Sequence, residues 1–219
     1  MMKRIDLHTH TLLSDGELVP AELARRAEDM DYEAIGLTDH VDSSNLEWVA
    51  KQTLEAAKDL NETLDIRVVT GVELTHVPPS KISELAKKAR ELNMEIVAVH
   101  GETSIEPVLE GTNKAALECD EVNLLVHPGL ITSDQAELAR DTQTYLELTS
   151  RRGHCLANGQ IAKLAQKAGA SLLVNTDAHV PEDLLTREEA LMVAKGAGLN
   201  EGEARKVVGS NPQKFLEGL

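Results

Sequence analysis

The residues able to do chemistry are the histidines and acids, and their spacing is ordered. His8 and His10 stand two apart in Asp6-Leu7-His8-Thr9-His10, and Ser14-Asp15-Gly16 follows closely. Asp39-His40, Gly71-Val72-Glu73, His100-Gly101, His127-Pro128 and Asp177-Ala178-His179 come at longer intervals. Imidazole and carboxylate together suit zinc, iron or manganese. One ion takes three or four protein ligands, so this set suits two or three ions sharing Glu73 as a bridge. Ions about 3.5–4 Å apart grip both the attacking and the leaving oxygen of a phosphoryl transfer.

These groups close short β-type runs. Strands are predicted near 4–8, 35–38, 67–73, 95–99, 122–126, 145–148 and 171–175, rich in Val, Ile and Leu and free of Pro. Helical spacing of apolar residues marks 20–30, 46–63, 80–92, 104–109, 112–118, 133–141, 157–168, 186–197 and 201–208, and Asn211-Pro212 opens a last turn. Pro20 suits a first helical turn, and Ser80 reads as a cap. The alternation predicts one α/β domain over residues 1–219 with a largely parallel sheet. No G-x-G-x-x-G follows the first strand, which removes the argument for a dinucleotide crevice. Every predicted strand except the sixth delivers a metal-type residue at its C-terminal end, where barrel active sites are assembled. Strand alternation predicts His8 and His10 on one side, with Ile5 and Leu7 facing covering helices on the other.

The ordered set of motifs resembles the PHP (polymerase and histidinol phosphatase) domain family. D-L-H-T-H at 6–10, S-D-G at 14–16, T-D-H at 38–40, G-V-E at 71–73, V-H-G at 99–101, V-H-P-G at 126–129 and T-D-A-H at 176–179 carry the likeness. The resemblance implies a distorted (β/α)7, TIM-like barrel with a trinuclear metal site at the C-terminal ends of the strands. It implies a first ion on His8, His10, Glu73 and Asp177, a second on Glu73, His100 and His127, and a third on Asp15, His40 and His179. The family includes histidinol-phosphate phosphatases, other small phosphoesterases and polymerase-associated exonucleases.

The expected activity is therefore hydrolysis of a small organic phosphomonoester with two or three divalent ions (Zn, Mn or Fe). A water bridging those ions, its pKa lowered towards about 7, would be the nucleophile. Arg151 and Arg152 follow the sixth strand, where a guanidinium can clamp phosphate. His154 is a candidate proton donor to the leaving oxygen. His76 is a further candidate for the pocket, Glu102 and Asp6 are candidates to orient a ligand, and Asp39 a candidate partner for a helix amide. Trp48 suits either the core or a rim position. The alternatives are a phosphodiesterase or 3'-5' exonuclease, amidohydrolase chemistry, and a non-catalytic metal-binding module. No lysine stands at a predicted strand end, which counts against the amidohydrolase reading.

Composition bounds the partners. Lys and Arg total 22 against 37 Asp and Glu, a formal net charge of −15, and the aromatics are one Trp, two Tyr and one Phe. That argues against nucleic acid and for a small phosphate ester as partner. No apolar run suits a membrane span, and MMKRIDLHTH lacks the apolar centre of a signal peptide. Two cysteines make no disulfide framework, so a cytoplasmic location is expected.

Overall fold

The computed structural model describes residues 3–219. Among these, parallel strands pair in the order β1 (Arg4–Thr9), β2 (Tyr32–Leu37), β4 (Arg67–Leu74), β5 (Ile96–His100), β6 (Leu124–Val126), β7 (Tyr145–Thr149) and β8 (Leu172–Asn175). A two-residue strand β3 (His40–Val41), absent from the sequence-based expectation, continues alongside β4. The result is a nearly closed (β/α)7 barrel.

No ladder joins β1 to β8. Thr9 bridges Ala178, and side chains satisfy the rest of the seam. The Arg4 guanidinium donates to the Val174 carbonyl (2.9 Å) and pairs with Asp6 (3.1 Å). Asp6 accepts the Thr176 amide (3.2 Å), and Asn175 Oδ1 accepts the Leu7 amide (3.0 Å). Buried strand edges need such partners. Asp6 thus seals the barrel and does not touch a histidine ring.

The helices α1 (Pro20–Asp29), α2 (Leu46–Thr63), α3 (Pro79–Glu91), α4 (Thr112–Leu117), α5 (Ser133–Asp141), α6 (Asn158–Ala168), α7 (Arg187–Gly196) and α8 (Glu201–Arg205) wrap the outside. Leu23, Ala24 and Ala27 form the buried stripe of α1. Reciprocal caps start α5 (Thr132 with Gln135), α7 (Thr186 with Glu189) and α8 (Asn200 with Glu203). Outward-facing Val72, Val97, Leu125, Leu146 and Val174 pack beneath these helices. Inward-facing Val69, Ile96, Ala98, Leu124, Val126 and Leu173 fill the barrel, and Phe215 and Leu216 of α9 (Asn211–Glu217) plug its floor.

Four expectations are corrected. Ile5 and Leu7 lie in the barrel interior with these residues, not under the helices. Between Asp6 and Thr9 the register against Ile35 and Leu37 slips, and this bulge turns His8 and His10 inward as well. Residues 104–109 form no helix. Pro107 disfavours the helical conformation at Glu106 and offers no amide of its own. The helix expected over 201–208 ends at Arg205 and gives way to a π turn, Lys206–Ser210. Ser80 is not a cap, because α3 starts at Pro79.

Candidate metal centre

The strand ends bring the histidines together with one orientation. Nδ1 is tied to the protein in most of the rings. His8 Nδ1 donates to Glu147 Oε1 (2.7 Å), and His100 Nδ1 donates to Glu73 Oε1 (3.1 Å). His179 Nδ1 donates to the Asp177 carbonyl (2.9 Å). His40 Nδ1 donates to Thr75 Oγ1 (2.7 Å), whose own proton goes to the Glu73 carbonyl (3.1 Å). His154 Nδ1 pairs with Thr103 Oγ1 (2.7 Å). The His40, His100, His154 and His179 rings line a cleft of about 270 Å³ together with Asp15, His127 and Asp177. A second acceptor on the far nitrogen is how metal-ligating histidines are fixed in tautomer and orientation.

Local backbone serves this aim. A Cβ at Gly16 would stand 2.5 Å from the His10 carbonyl oxygen, so only glycine lets the Ser-Asp-Gly turn fold back and present Asp15. Asp39 locks that turn, accepting from the Thr11 amide (2.7 Å), Thr11 Oγ1 (2.8 Å) and Ser14 Oγ (2.6 Å). Leu124 and Val126 point inward, so alternation would send His127 out. A left-handed φ of 27° turns it back. Asp177 (φ 55°) and His76 (φ 52°) adopt the same costly region.

The donors fall into close sets. His8 Nε2 and His10 Nε2 are 3.0 Å apart, and Asp177 Oδ1 is 3.1 Å from His10. Glu73 Oε2 lies 3.6 Å from both nitrogens. Glu73 Oε1 faces His127 Nε2 at 3.4 Å, besides His100. Asp15 Oδ1 faces His179 Nε2 at 3.2 Å and His40 Nε2 at 3.5 Å. Glu73 Oε2 and Asp177 Oδ1 are buried yet accept no hydrogen bond. Such atoms are costly unless a cation sits among them.

The charges agree. Burial opposes ionisation of Glu73 and Asp177, but His40 and His8 hold Glu73, and His8 and His10 hold Asp177, below the usual carboxylate range. Burial pushes His10 down to about 3. Burial would lower His40 too, but Glu73 raises it to about 9. Asp15 resists its partial burial and drops to about 2 beside His179 and His40. Ionised carboxylates thus draw positive charge into the cleft.

The other candidates separate. Arg151 lines the cleft and pairs with Asp183 (3.0 Å), whereas Arg152 is exposed. His154 faces the cleft, and burial, aided by His127, lowers it to about 4. His76 reaches Glu106 (3.3 Å). Glu102 instead accepts the Gly111 and Asn113 amides at the start of α4 (3.0 and 2.9 Å). Trp48 is 55% exposed at the rim. Two residues escaped the sequence reading. Glu147 holds His8 and accepts the His127 amide (2.9 Å), and its signal was an acid inside the apolar sixth strand. Glu106 lies 3.1 Å from His100 Nε2 and 3.3 Å from His154 Nε2, and carried no signal in sequence.

The family model for the PHP domain matches residues 6–145, the stretch from Asp6 past His127. The chain belongs to the PHP domain family. An uncharacterised protein of Methanocaldococcus jannaschii is 46% identical to this PHP chain over 215 residues, 98% of this chain and 99% of that one. Ribonuclease P protein component 3 of Methanosarcina barkeri is 28% identical over 92% of this chain and 84% of its own. A probable phosphatase of Thermoanaerobacter sp. is 28% identical over 90% and 87%. Among solved structures, a chain of archaeal ribonuclease P with mature tRNA superposes with a TM-score of 0.76 at 19% identity, covering 98% of this chain and 90% of that one. Histidinol phosphate phosphatase of Lactococcus lactis, complexed with zinc, L-histidinol and phosphate, gives 0.63 at 16% identity, covering 91% and 95%. These two likenesses establish the fold.

One expectation is overturned. The expected partner, a small phosphate ester with nucleic acid argued against, conflicts with relatives that are components of ribonuclease P. The net charge of −15 is an average over the whole surface. A subunit in a ribonucleoprotein needs only a local contact, and that contact can be to another protein. Among the described residues no helix is long and apolar enough to cross a membrane, as expected.

Proposed function

We propose that this PHP chain is a metal-dependent phosphoesterase acting on a terminal phosphate, and that it works as one unit. The observation that carries the reading is the pair of buried carboxylate oxygens, on Glu73 and Asp177, ringed by imidazole nitrogens as close as 2.6 Å (His40 Nδ1) and 3.1 Å (His10 Nε2), none of them in hydrogen-bond geometry. Donors bound to one tetrahedral ion at about 2.0–2.1 Å stand roughly 3.3 Å apart, and nitrogen with carboxylate oxygen is a fitting set for zinc, iron or manganese. The spacings between 3.0 and 3.6 Å within the sets fit that requirement. His8, His10, Glu73 and Asp177 would hold one cation, Glu73, His100 and His127 a second, and Asp15, His40 and His179 a third. Bound cations there supply Lewis-acid charge to phosphate oxygens and acidify water.

The chain's own residues do the rest. Glu147 and Thr75 fix the His8 and His40 rings, so the donors need no reorganisation. Arg151 stands at the cleft edge, and exchange of Asp183 for a substrate phosphate keeps its charge paired. His154, neutral near pH 7, offers Nε2 as an acceptor that orders water beside the leaving oxygen. A cleft of about 270 Å³ suits a terminal phosphate and the first atoms of its leaving group.

A second reading, a subunit of a nucleic-acid–protein assembly, is favoured by the ribonuclease P relatives and by the rim. Leu12, Trp48, Ile105, Leu109, Leu130 and Leu156 are exposed in the segments that follow strand C-terminal ends. The deciding experiment quantifies metal in the purified protein and offers it phosphomonoesters, 5'- and 3'-phosphorylated RNA and a precursor tRNA. Phosphate release that a chelator abolishes and manganese or zinc restores is the expected result. Metal-loaded protein that releases no phosphate from any of them, yet binds the RNA, makes the assembly reading the stronger.

A further inference from the structure

Glu106 occupies a position that none of the nine family-type positions explains. Pro107 holds it out of a helix, on the loop between β5 and α4. Its carboxylate meets three imidazoles: Oε2 is 3.1 Å from His100 Nε2 and 3.3 Å from His76 Nε2, and Oε1 is 3.3 Å from His154 Nε2. His100 is decisive. It is 3% exposed, and its Nδ1 proton goes inward to Glu73 Oε1. Its Nε2 is buried and has no hydrogen-bond partner although a Glu106 carboxylate oxygen stands 3.1 Å away. A buried nitrogen and a carboxylate oxygen left unpaired side by side are costly unless a cation lies between them. His76 is brought to the same oxygen by a backbone in the left-handed region.

We propose that Glu106, His76 and His100 Nε2 are direct ligands of one divalent cation at the outer edge of the cleft. His76 Nε2, His100 Nε2 and a Glu106 oxygen all lie within 4.8 Å of one another. The separations of 3.1 and 3.3 Å match the roughly 3.3 Å between two ligands of a tetrahedral zinc. Glu73 then acts on this cation through the His100 ring, as the carboxylate that fixes its tautomer. This set replaces the one given above for the second cation: His100 stays a ligand, Glu106 and His76 take the places of Glu73 and His127, and the cation lies on the side from which substrate enters. This inference rests on the metal-dependent reading above, and its test separates the two.

The experiment compares wild type, Glu106→Gln and His76→Ala, each loaded with cobalt(II), dialysed, and assayed for metal content and visible absorption. Circular dichroism checks the fold, and His76, being exposed, tolerates truncation. The expected result is that each variant loses one equivalent of metal, or holds it at least about tenfold more weakly, with an altered cobalt band and unchanged circular dichroism. Unchanged metal content and an unchanged cobalt spectrum in either variant overturn the proposed ligand set. A wild type that retains no metal under any loading overturns the metal-dependent reading itself.

Discussion

The floor and the mouth of this barrel bury polar and apolar groups by opposite rules. At the floor, Phe215 packs edge-on to Tyr145 at 5.0 Å, and Arg4, 1% exposed, is paired through its terminal nitrogens with Asp6 and the Val174 carbonyl, its Nε alone left without a partner. At the mouth, Glu73 Oε2, Asp177 Oδ1, His100 Nε2 and His127 Nδ1 are buried with no hydrogen-bond partner. Bare donors gathered at one end are tolerable only because the other end holds the fold together. The difference teaches where to separate stability from chemistry: changes at the floor should unfold the chain, and changes at the mouth should disarm it.

The sharpest break of that division is Glu73→Gln. The amide is isosteric, so the fold is retained, but the carboxylate that faces His8 and His10 and orients His100 is lost. Turnover is expected to fall by about a thousandfold or more, about 4 kcal/mol or more of barrier. Metal analysis and circular dichroism on the same sample check both halves. A Glu73→Gln protein that unfolds would show the mouth to be structural.

Phe215→Ala tests the floor. Truncating a buried phenylalanine costs about 3–5 kcal/mol, read as a lower urea midpoint. Metal content per folded molecule should not change. Chelation probes the coupling between the ends. If cations bind only the folded chain, each site at a hundredfold excess over its Kd adds about 2.7 kcal/mol, so metal removal should lower Tm without changing the far-ultraviolet spectrum. A Tm indifferent to chelator would sever metal binding from stability.

Much of this division was legible in the residues. Strand ends carrying histidine and acid predicted the mouth, because period and position alone place those side chains. The direction of Ile5 and Leu7 was not legible, because a bulge shifts the register only once β2 is beside β1. Glu147 is an acid inside an apolar strand, and only barrel closure brings it to His8. Glu106 lay in a segment with helical spacing, where the constraint from Pro107 outweighs the pattern. The partner failed for a different reason: composition averages over surfaces that a subunit contact samples locally.

Glu147→Gln sharpens the mouth at an intermediate scale. His8 would keep its place but lose the charge that raises its basicity, so the affinity for its cation is expected to fall about 10–100-fold. Competition with a chelator of known strength measures it. An unchanged affinity would mean that the His8 ring is held by packing alone.

The smallest expected effect is on the rim. Trp48 lies in the first turn of α2 and is 55% exposed, so Trp48→Ala removes little buried surface. Its unfolding free energy should stay within about 0.5 kcal/mol of wild type, and hydrolysis of a compact phosphomonoester should be unchanged. Binding to an RNA or to an assembly partner is where a loss should register, because an exposed indole contributes when something covers it. Loss of stability by more than about 1 kcal/mol would make Trp48 part of the scaffold and move the boundary between the two regions outward.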